Sequence, residues 1–82
     1  MRILIDSRVL SITDTLIDKS HKIHIFDMMH KPTMPFDFDS KSIEVQWVYS
    51  KAVDHDVDLV ITADVDLAKK LNKCGVRTVS LI

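Results

Sequence analysis

A chain of 82 residues is long enough for one small domain, residues 1–82, and buries only about 60–65% of the surface that its unfolded form exposes. Apolar residues make up 46% and charged residues 28%, which is typical of a globular protein and excludes a disordered tail. Eleven Lys and Arg against twelve acidic residues give a net charge of −1, which argues against strong nonspecific binding to nucleic acid. Because the core is small, a homodimer would help to stabilise it.

The sequence has no apolar run near the ~18 residues that a membrane span requires. The apolar start, residues 1–5, continues directly into Asp6 without the apolar core of a signal peptide. A single cysteine, Cys74, excludes an internal disulfide and fits a reducing compartment. We therefore expect a cytoplasmic protein with no membrane segment.

The first third of the chain predicts a strand, a helix and a second strand. Residues 1–5 form a β-branched apolar run typical of a central strand in a parallel sheet. Apolar residues then recur at helical spacing, which predicts a helix from Val9 to Ser20. The alternating pattern of residues 22–27 predicts a second, short strand.

Residues 27–39 predict an irregular loop, because Pro32 and Pro35 prevent regular structure there. Loops are usually polar, yet this one carries several large apolar side chains, among them Met28, Met34, Phe36 and Phe38. These side chains must either fold back onto the domain or face a partner, and the sequence leaves both alternatives open.

The rest of the chain predicts two helices and two strands. Ser40 begins a helix that extends to about His55, residues 57–62 form a buried strand, and Asp64 begins a helix that ends near Cys74. Gly75 stands where a left-handed C-cap is expected, and residues 77–82 are predicted to form the last strand. Right-handed crossovers then give an α/β fold: a three-layer α/β/α domain with a four-stranded parallel sheet in the order 2-1-3-4.

Three carboxylates follow the two central strands of this sheet. Asp6 ends strand 1, whereas Asp64 and Asp66 follow strand 3, and the carboxyl ends of neighbouring parallel strands are where open α/β sheets place their ligands. Gathered carboxylates repel one another unless a cation such as Mg²⁺ or Mn²⁺ neutralises them, and Asp39 or Glu44 could join from the start of the middle helix. Alternatively, Asp64 caps a helix, Asp66 is a favourable first-turn acid, and Asp6 bonds the following turn.

Two stretches carry a resemblance to a known family. Residues 2–10, R-I-L-I-D-S-R-V-L, and residues 58–71, D-L-V-I-T-A-D-V-D-L-A-K-K-L, resemble the two acidic segments of PIN-domain ribonucleases. The resemblance implies a PIN-like endoribonuclease that depends on Mg²⁺ or Mn²⁺ and in which metal-bound water attacks an RNA phosphodiester. Asp6, Asp64 and Asp66 would be the catalytic metal ligands, and Glu44 is a candidate for the family's middle acid.

The resemblance has two further implications. Arg8, which stands where the family commonly has a small polar residue, and Lys69 are candidates for contacts with RNA. The alternative is a trimmed, catalytically inactive PIN-like module that binds a protein partner or a second copy of itself through the loop containing Met28, Met34, Phe36 and Phe38. The two hypotheses differ in their dependence on a metal.

Overall fold

The computed structural model describes residues 1–17, 20–27 and 40–81. Their elements are β1 (Arg2–Asp6), a 3-10 turn (Ser7–Val9), α1 (Leu10–Leu16), β2 (Lys22–Phe26), α2 (Ser40–Asp54), β3 (Leu59–Thr62), α3 (Val65–Lys73) and β4 (Thr78–Ser80). The predictions made for Met28, Met34, Phe36, Phe38 and Asp39 lie outside the described residues.

The described strands form one parallel sheet in the order β2-β1-β3-β4. Ile3 of β1 pairs with Ile23 of β2 on one side and with Leu59 of β3 on the other. Strand β4 pairs with β3 on its other side, where Ile61 is opposite Val79. This topology confirms the predicted α/β fold and strand order, in which the direction of winding reverses between β1 and β3.

Helices cover both faces of the sheet because successive side chains of a strand point to opposite faces. Leu4 and Val60 belong to a buried cluster with residues of α2 and α3, namely Val48, Ala52, Leu67 and Leu71. Ile3, Ile5 and Ile61 point the other way and pack with Val9 and with residues near α1. The core therefore lies in two layers, with β1 and β3 contributing to both.

Helix α1 is shorter than the sequence predicted. It ends at Leu16, and Ile17 already has extended backbone angles, φ −105° and ψ 128°. The reason is packing, since in this conformation Ile17 contacts the buried cluster around Ile3 and Ile5. The prediction of a helix as far as Ser20 is therefore wrong, because Ser20 lies in a turn before β2.

Helix α3 begins and ends as predicted. The Asp64 side chain accepts hydrogen bonds from the backbone N–H groups of Asp66 and Leu67, which caps the first turn. At the other end Gly75 has a φ of +88°, a left-handed conformation that glycine adopts without steric cost. None of the helices within the described ranges is long and apolar enough to cross a membrane.

Candidate functional site

Asp6 lies at the centre of the candidate site. It is the last residue of β1, a central strand, and is 0% exposed. Its carboxylate lies at the carboxyl edge of the sheet, on the face covered by α2 and α3, which it shares with Leu4. A fully buried carboxylate is costly unless charged or hydrogen-bonding groups surround it, so its partners decide what the site can do.

Arg8 supplies most of those partners. The backbone N–H of Arg8 donates to Asp6 Oδ1 at 3.0 Å, and this contact caps the 3-10 turn that follows β1. The turn brings the guanidinium back onto the carboxylate, where Nε lies 3.0 Å from both oxygens and Nη2 lies 2.6 Å from Oδ2. This two-pronged, charge-assisted contact is among the strongest that a carboxylate can form.

The remaining partners connect Asp6 to β3 and α3. Thr62 Oγ1 donates to Asp6 Oδ2 at 3.0 Å, and the backbone N–H of Ala63 donates to the same oxygen at 3.2 Å. Thr62 Oγ1 in turn accepts from the backbone N–H of Asp64 at 3.1 Å. A continuous chain of hydrogen bonds therefore runs from the end of β1 to the residue that caps α3.

The electrostatics of the pair favour charge on both residues. Burial by itself raises the pKa of Asp6, but the hydrogen bonds from Arg8, Ala63 and Thr62 together outweigh it and hold the pKa below its usual value of 3.8. The hydrogen bond to Asp6 raises the pKa of Arg8, and the negative charges of Asp6, Asp64 and Glu44 raise it further. Three of the predicted acidic residues therefore stabilise the positive charge of Arg8.

The other predicted ligands lie beside this pair. Glu44, on α2, lines a narrow crevice with Asp64 and Asp66 at the start of α3. The crevice also contains a cation, Lys70, together with the apolar side chains of Val45 and Leu67. The fold therefore brings the three carboxylates Glu44, Asp64 and Asp66 to one edge, whereas Asp6 lies beneath Arg8.

The residues as placed do not fit a resident divalent ion. Mg²⁺ and Mn²⁺ need free oxygen lone pairs in a near-octahedral set. A carboxylate offers about four lone-pair sites. Five donor groups on Arg8, Thr62 and Ala63 already point at the carboxylate of Asp6. In the part of the chain that the structure describes, no group of three or more His, Cys, Asp or Glu residues is arranged to hold a metal ion.

The two predicted RNA contacts differ in their surroundings. The Arg8 side chain is 48% exposed, although its guanidinium is bonded to Asp6. Lys69 lies on the exposed side of α3, and its neighbour Lys70 is the lysine that lines the crevice. Thr62 was not predicted from the sequence as a link between the two acidic segments, although its position two residues before the N-cap Asp64 was a usable signal.

A second polar cluster was also missed. The imidazoles of His24, on β2, and His55, just after α2, stack with their ring centroids 4.0 Å apart and their planes at 19°. Burial lowers the pKa of His24, and the nearby charges of His55, Arg2 and Lys22 lower it further. The lowered pKa of His24 favours its neutral form, which suits stacking against a second imidazole. His24 and His55 are too far apart in sequence for spacing to have indicated the contact.

Comparisons with models of known families, with curated proteins and with solved structures gave no match.

Proposed function

We propose that this chain is a catalytically inactive, PIN-like module that acts by binding a protein, and that Arg8 takes the place of a divalent cation at its acidic edge. The observation that carries the proposal is the contact between Arg8 and the fully buried Asp6, with Nη2 at 2.6 Å from Oδ2. The guanidinium supplies the positive charge that the buried Asp6 carboxylate requires, so Asp6 is neutralised without a metal.

The PIN-like part of the proposal is supported by the placement of the acids. Asp6 and Asp64 follow adjacent parallel strands at the point where the winding direction reverses, and Glu44 approaches from α2. This is the arrangement that the resemblance of the two acidic segments implies. In this chain, however, Arg8 follows the first acid by two residues and its side chain bonds that acid.

The binding part of the proposal is supported by exposed apolar surface. Ile23 and Ile25 of β2 are 40% and 53% exposed, and β2 leads directly into the Met- and Phe-rich stretch of residues 28–38. Large apolar side chains left in water next to a sequence of that composition favour a protein contact. The partner would therefore bind near the β2 edge of the sheet, away from α3.

A Mg²⁺- or Mn²⁺-dependent endoribonuclease acting on RNA is the second candidate. It is favoured by the crevice in which Glu44, Asp64 and Asp66 converge beside Arg8. Because half of the Arg8 side chain is exposed, its guanidinium could leave Asp6 without crossing the core. Only after such a movement would the four acids be able to share an ion.

A titration with Mn²⁺ separates the two candidates. Calorimetry is carried out on the wild type, on Arg8→Gln, on the double variant Asp6→Asn with Asp64→Asn, and on the control Arg77→Gln, whose side chain is exposed. The proposal predicts no Mn²⁺ binding by the wild type or by Arg77→Gln, and no RNA cleavage with any divalent metal. It also predicts that Arg8→Gln gains weak Mn²⁺ binding, because a buried carboxylate has lost its counter-ion.

The ribonuclease candidate predicts the opposite results. Mn²⁺ binding by the wild type that disappears in the Asp6→Asn, Asp64→Asn variant, together with metal-dependent cleavage of RNA by the wild type, would overturn the inactive-module proposal and establish the ribonuclease. Circular dichroism of each variant shows whether a lost signal reflects the site or a lost fold.

A further inference from the structure

Two ring contacts join β2 to the helix that covers it. His24 and Phe26 lie on the same face of β2, because alternate residues of a strand share a face, and α2 covers that face. The ring of Phe26 meets the indole of Trp47 edge-on, with the ring centroids 6.2 Å apart, and His24 stacks on His55 just after the helix. The first contact is apolar at every pH, whereas the second consists of two groups that take up protons in mildly acidic solution.

We infer that the His24–His55 stack is an acid-sensitive switch: protonation of both imidazoles separates the end of α2 from β2 and opens the contact between Phe26 and Trp47 to water. Phe26 is 1% exposed, so the opening uncovers apolar surface that the closed form buries. The inference goes beyond the proposed binding role and does not rest on it, because the switch needs neither a partner nor a metal.

In the part of the chain that the structure describes, the charges that shift the pKa of His24 are all positive. Arg2 acts from β1, Lys22 from the start of β2, and His55, once it is protonated, from the end of α2. Burial of the His24 ring lowers its pKa, and these cations lower it further below the usual 6.5. The second proton on the pair therefore enters a site in which like charges oppose it.

The carboxylates next to this site face Arg2. Arg2 Nη1 lies 3.8 Å from Asp56 Oδ2, and the backbone N–H of Arg2 donates to Asp58 Oδ2 at 2.9 Å. The Asp56 side chain is 93% exposed, so water screens its charge. A further cation, Lys51, lies one turn before His55 with its ammonium 5.0 Å from the centre of the Trp47 ring. The boundary between β2 and the end of α2 is therefore rich in positive charge before any histidine is protonated.

The turn that carries His55 is strained. Asp56 has a φ of 51°, a left-handed conformation that side chains other than glycine rarely adopt. The backbone N–H groups of Asp56 and Val57 donate to carbonyls in the last turn of α2, which completes the helix cap. Arg2 Nη1 reaches the His55 carbonyl only at 3.4 Å, which is long for a hydrogen bond. The stack with His24 therefore helps to hold a turn that relaxes when it is released.

The proton balance sets the direction of the switch. When the stack opens, His24 leaves the cations and its pKa returns toward the usual 6.5, so the open form binds a proton more tightly than the closed form. Acid therefore favours the open form. The opening begins as the pH falls below 6.5 and levels off below the lower pKa that His24 has in the closed form.

Trp47 is the only tryptophan in the chain, so its fluorescence reports on the contact with Phe26. Quenching of this fluorescence by acrylamide is measured on the whole chain from about pH 8 to about pH 5. The quenching constant is expected to rise by about twofold or more as the pH falls, because local opening admits the quencher. The midpoint is expected to lie below 6.5.

Two matched substitutions separate the stack from other histidines. His55→Phe keeps a ring for His24 to stack on and removes one of the two protons, and a protonated His24 is attracted to the face of a phenyl ring. The rise in quenching is therefore expected to disappear in His55→Phe. In His21→Phe, which changes a histidine that precedes β2 and lies outside the stack, the rise is expected to persist.

Amide hydrogen exchange locates the opening. The N–H groups of His55, Asp56 and Val57 donate to carbonyls of α2, and that of Ala68 lies in α3 as an internal reference. Between neutral and acidic pH, after correction for intrinsic exchange rates, the first three are expected to lose at least about tenfold in protection while Ala68 keeps its own. Global unfolding would lower all four.

The inference is overturned if acrylamide quenching of the wild type is independent of pH, if the rise persists in His55→Phe, or if His21→Phe abolishes it. It is also overturned if Ala68 loses protection together with the end of α2. Circular dichroism shows whether His55→Phe is folded, and His24→Phe replaces it if it is not. None of these measurements involves Mn²⁺ or RNA, so a failed switch leaves the inactive-module proposal in place.

Discussion

Removal of the Arg8 guanidinium is the sharpest test of how the acidic edge is stabilised. Arg8→Gln deletes the Nε and Nη2 donors to Asp6 but keeps the backbone N–H, Thr62 Oγ1 and the Ala63 N–H as partners. The carboxylate stays fully buried and has lost its counter-ion. We expect the folded state to be destabilised, and to remain folded because three donors still point at Asp6.

The expected loss is about 2 kcal/mol. Breaking an ion pair that is buried at both ends costs about 3–5 kcal/mol, and a hydrogen bond to a charged group contributes about 1.5–3 kcal/mol. The lower figure applies here because the Arg8 side chain is 48% exposed, so water screens part of its attraction to Asp6. For a domain of this size the loss lowers the Tm by about 8–16 °C.

The same variant changes the pH dependence of this carboxylate. In the wild type the pKa of Asp6 is below its usual value of 3.8, so the unfolded chain binds the proton more tightly. The stability that Asp6 contributes is therefore present above that value and is lost as the pH falls through the folded-state pKa. Arg8→Gln removes the side-chain hydrogen bond that lowers this pKa most, so the pKa of Asp6 is higher in the variant than in the wild type, and protonation at acidic pH relieves part of the penalty. The deficit relative to wild type is expected to shrink as the pH falls through the acidic range.

Chemical denaturation followed by circular dichroism, at neutral and acidic pH, measures both effects. Arg77→Gln controls for the loss of a surface positive charge. In a double-mutant cycle, Arg8→Gln should cost much less when Asp6→Asn is already present. A difference between Arg8→Gln and wild type that is below about 0.5 kcal/mol, or that does not change with pH, would refute the assignment of Arg8 as the counter-ion.

Two further predictions concern the cap of α3 and the histidine stack. Asp64→Ala is expected to lower the free energy of unfolding by about 1 kcal/mol because it removes the N-cap. Asp66→Ala is expected to lower it by only a few tenths of a kcal/mol. Equal losses in urea denaturation would contradict the assignment of Asp64 as the cap. The pKa of His24 is lowered in the folded protein, first by burial and then by His55, so the unfolded chain takes up more protons and stability falls as the pH drops below about 6.5. His24→Gln should reduce that loss in thermal melts, and an unchanged pH profile would count against the stack.

The strands and their order follow from local patterns in the sequence. The apolar runs in residues 1–5 and 57–62 have the composition of strands that are buried on both faces, and the helical spacing between them requires crossover connections. Handedness then leaves few arrangements, and the predicted order is the observed one. The role of Gly75 was equally predictable because a left-handed cap favours glycine. The end of α1 was not predictable from local patterns, since it depends on where Ile17 packs.

At the acidic edge, too, the positions of the acids were predictable from the sequence and the contacts of Asp6 were not. Strand ends and caps correctly placed Asp6 at the end of β1 and Asp64 and Asp66 at the start of α3. Whether Asp6 faces a free ion site or a guanidinium depends on the 3-10 turn after β1, which directs Arg8 backward.

By itself, then, the sequence determined the α/β class, the parallel sheet and the edge at which its acids gather, because these follow from local periodicity and chain handedness. Only the tertiary structure decided that Arg8 closes onto Asp6, that Thr62 links the two acidic segments and that His24 meets His55. Those contacts depend on side-chain direction and on the packing of elements far apart in the chain, which residue order does not encode locally.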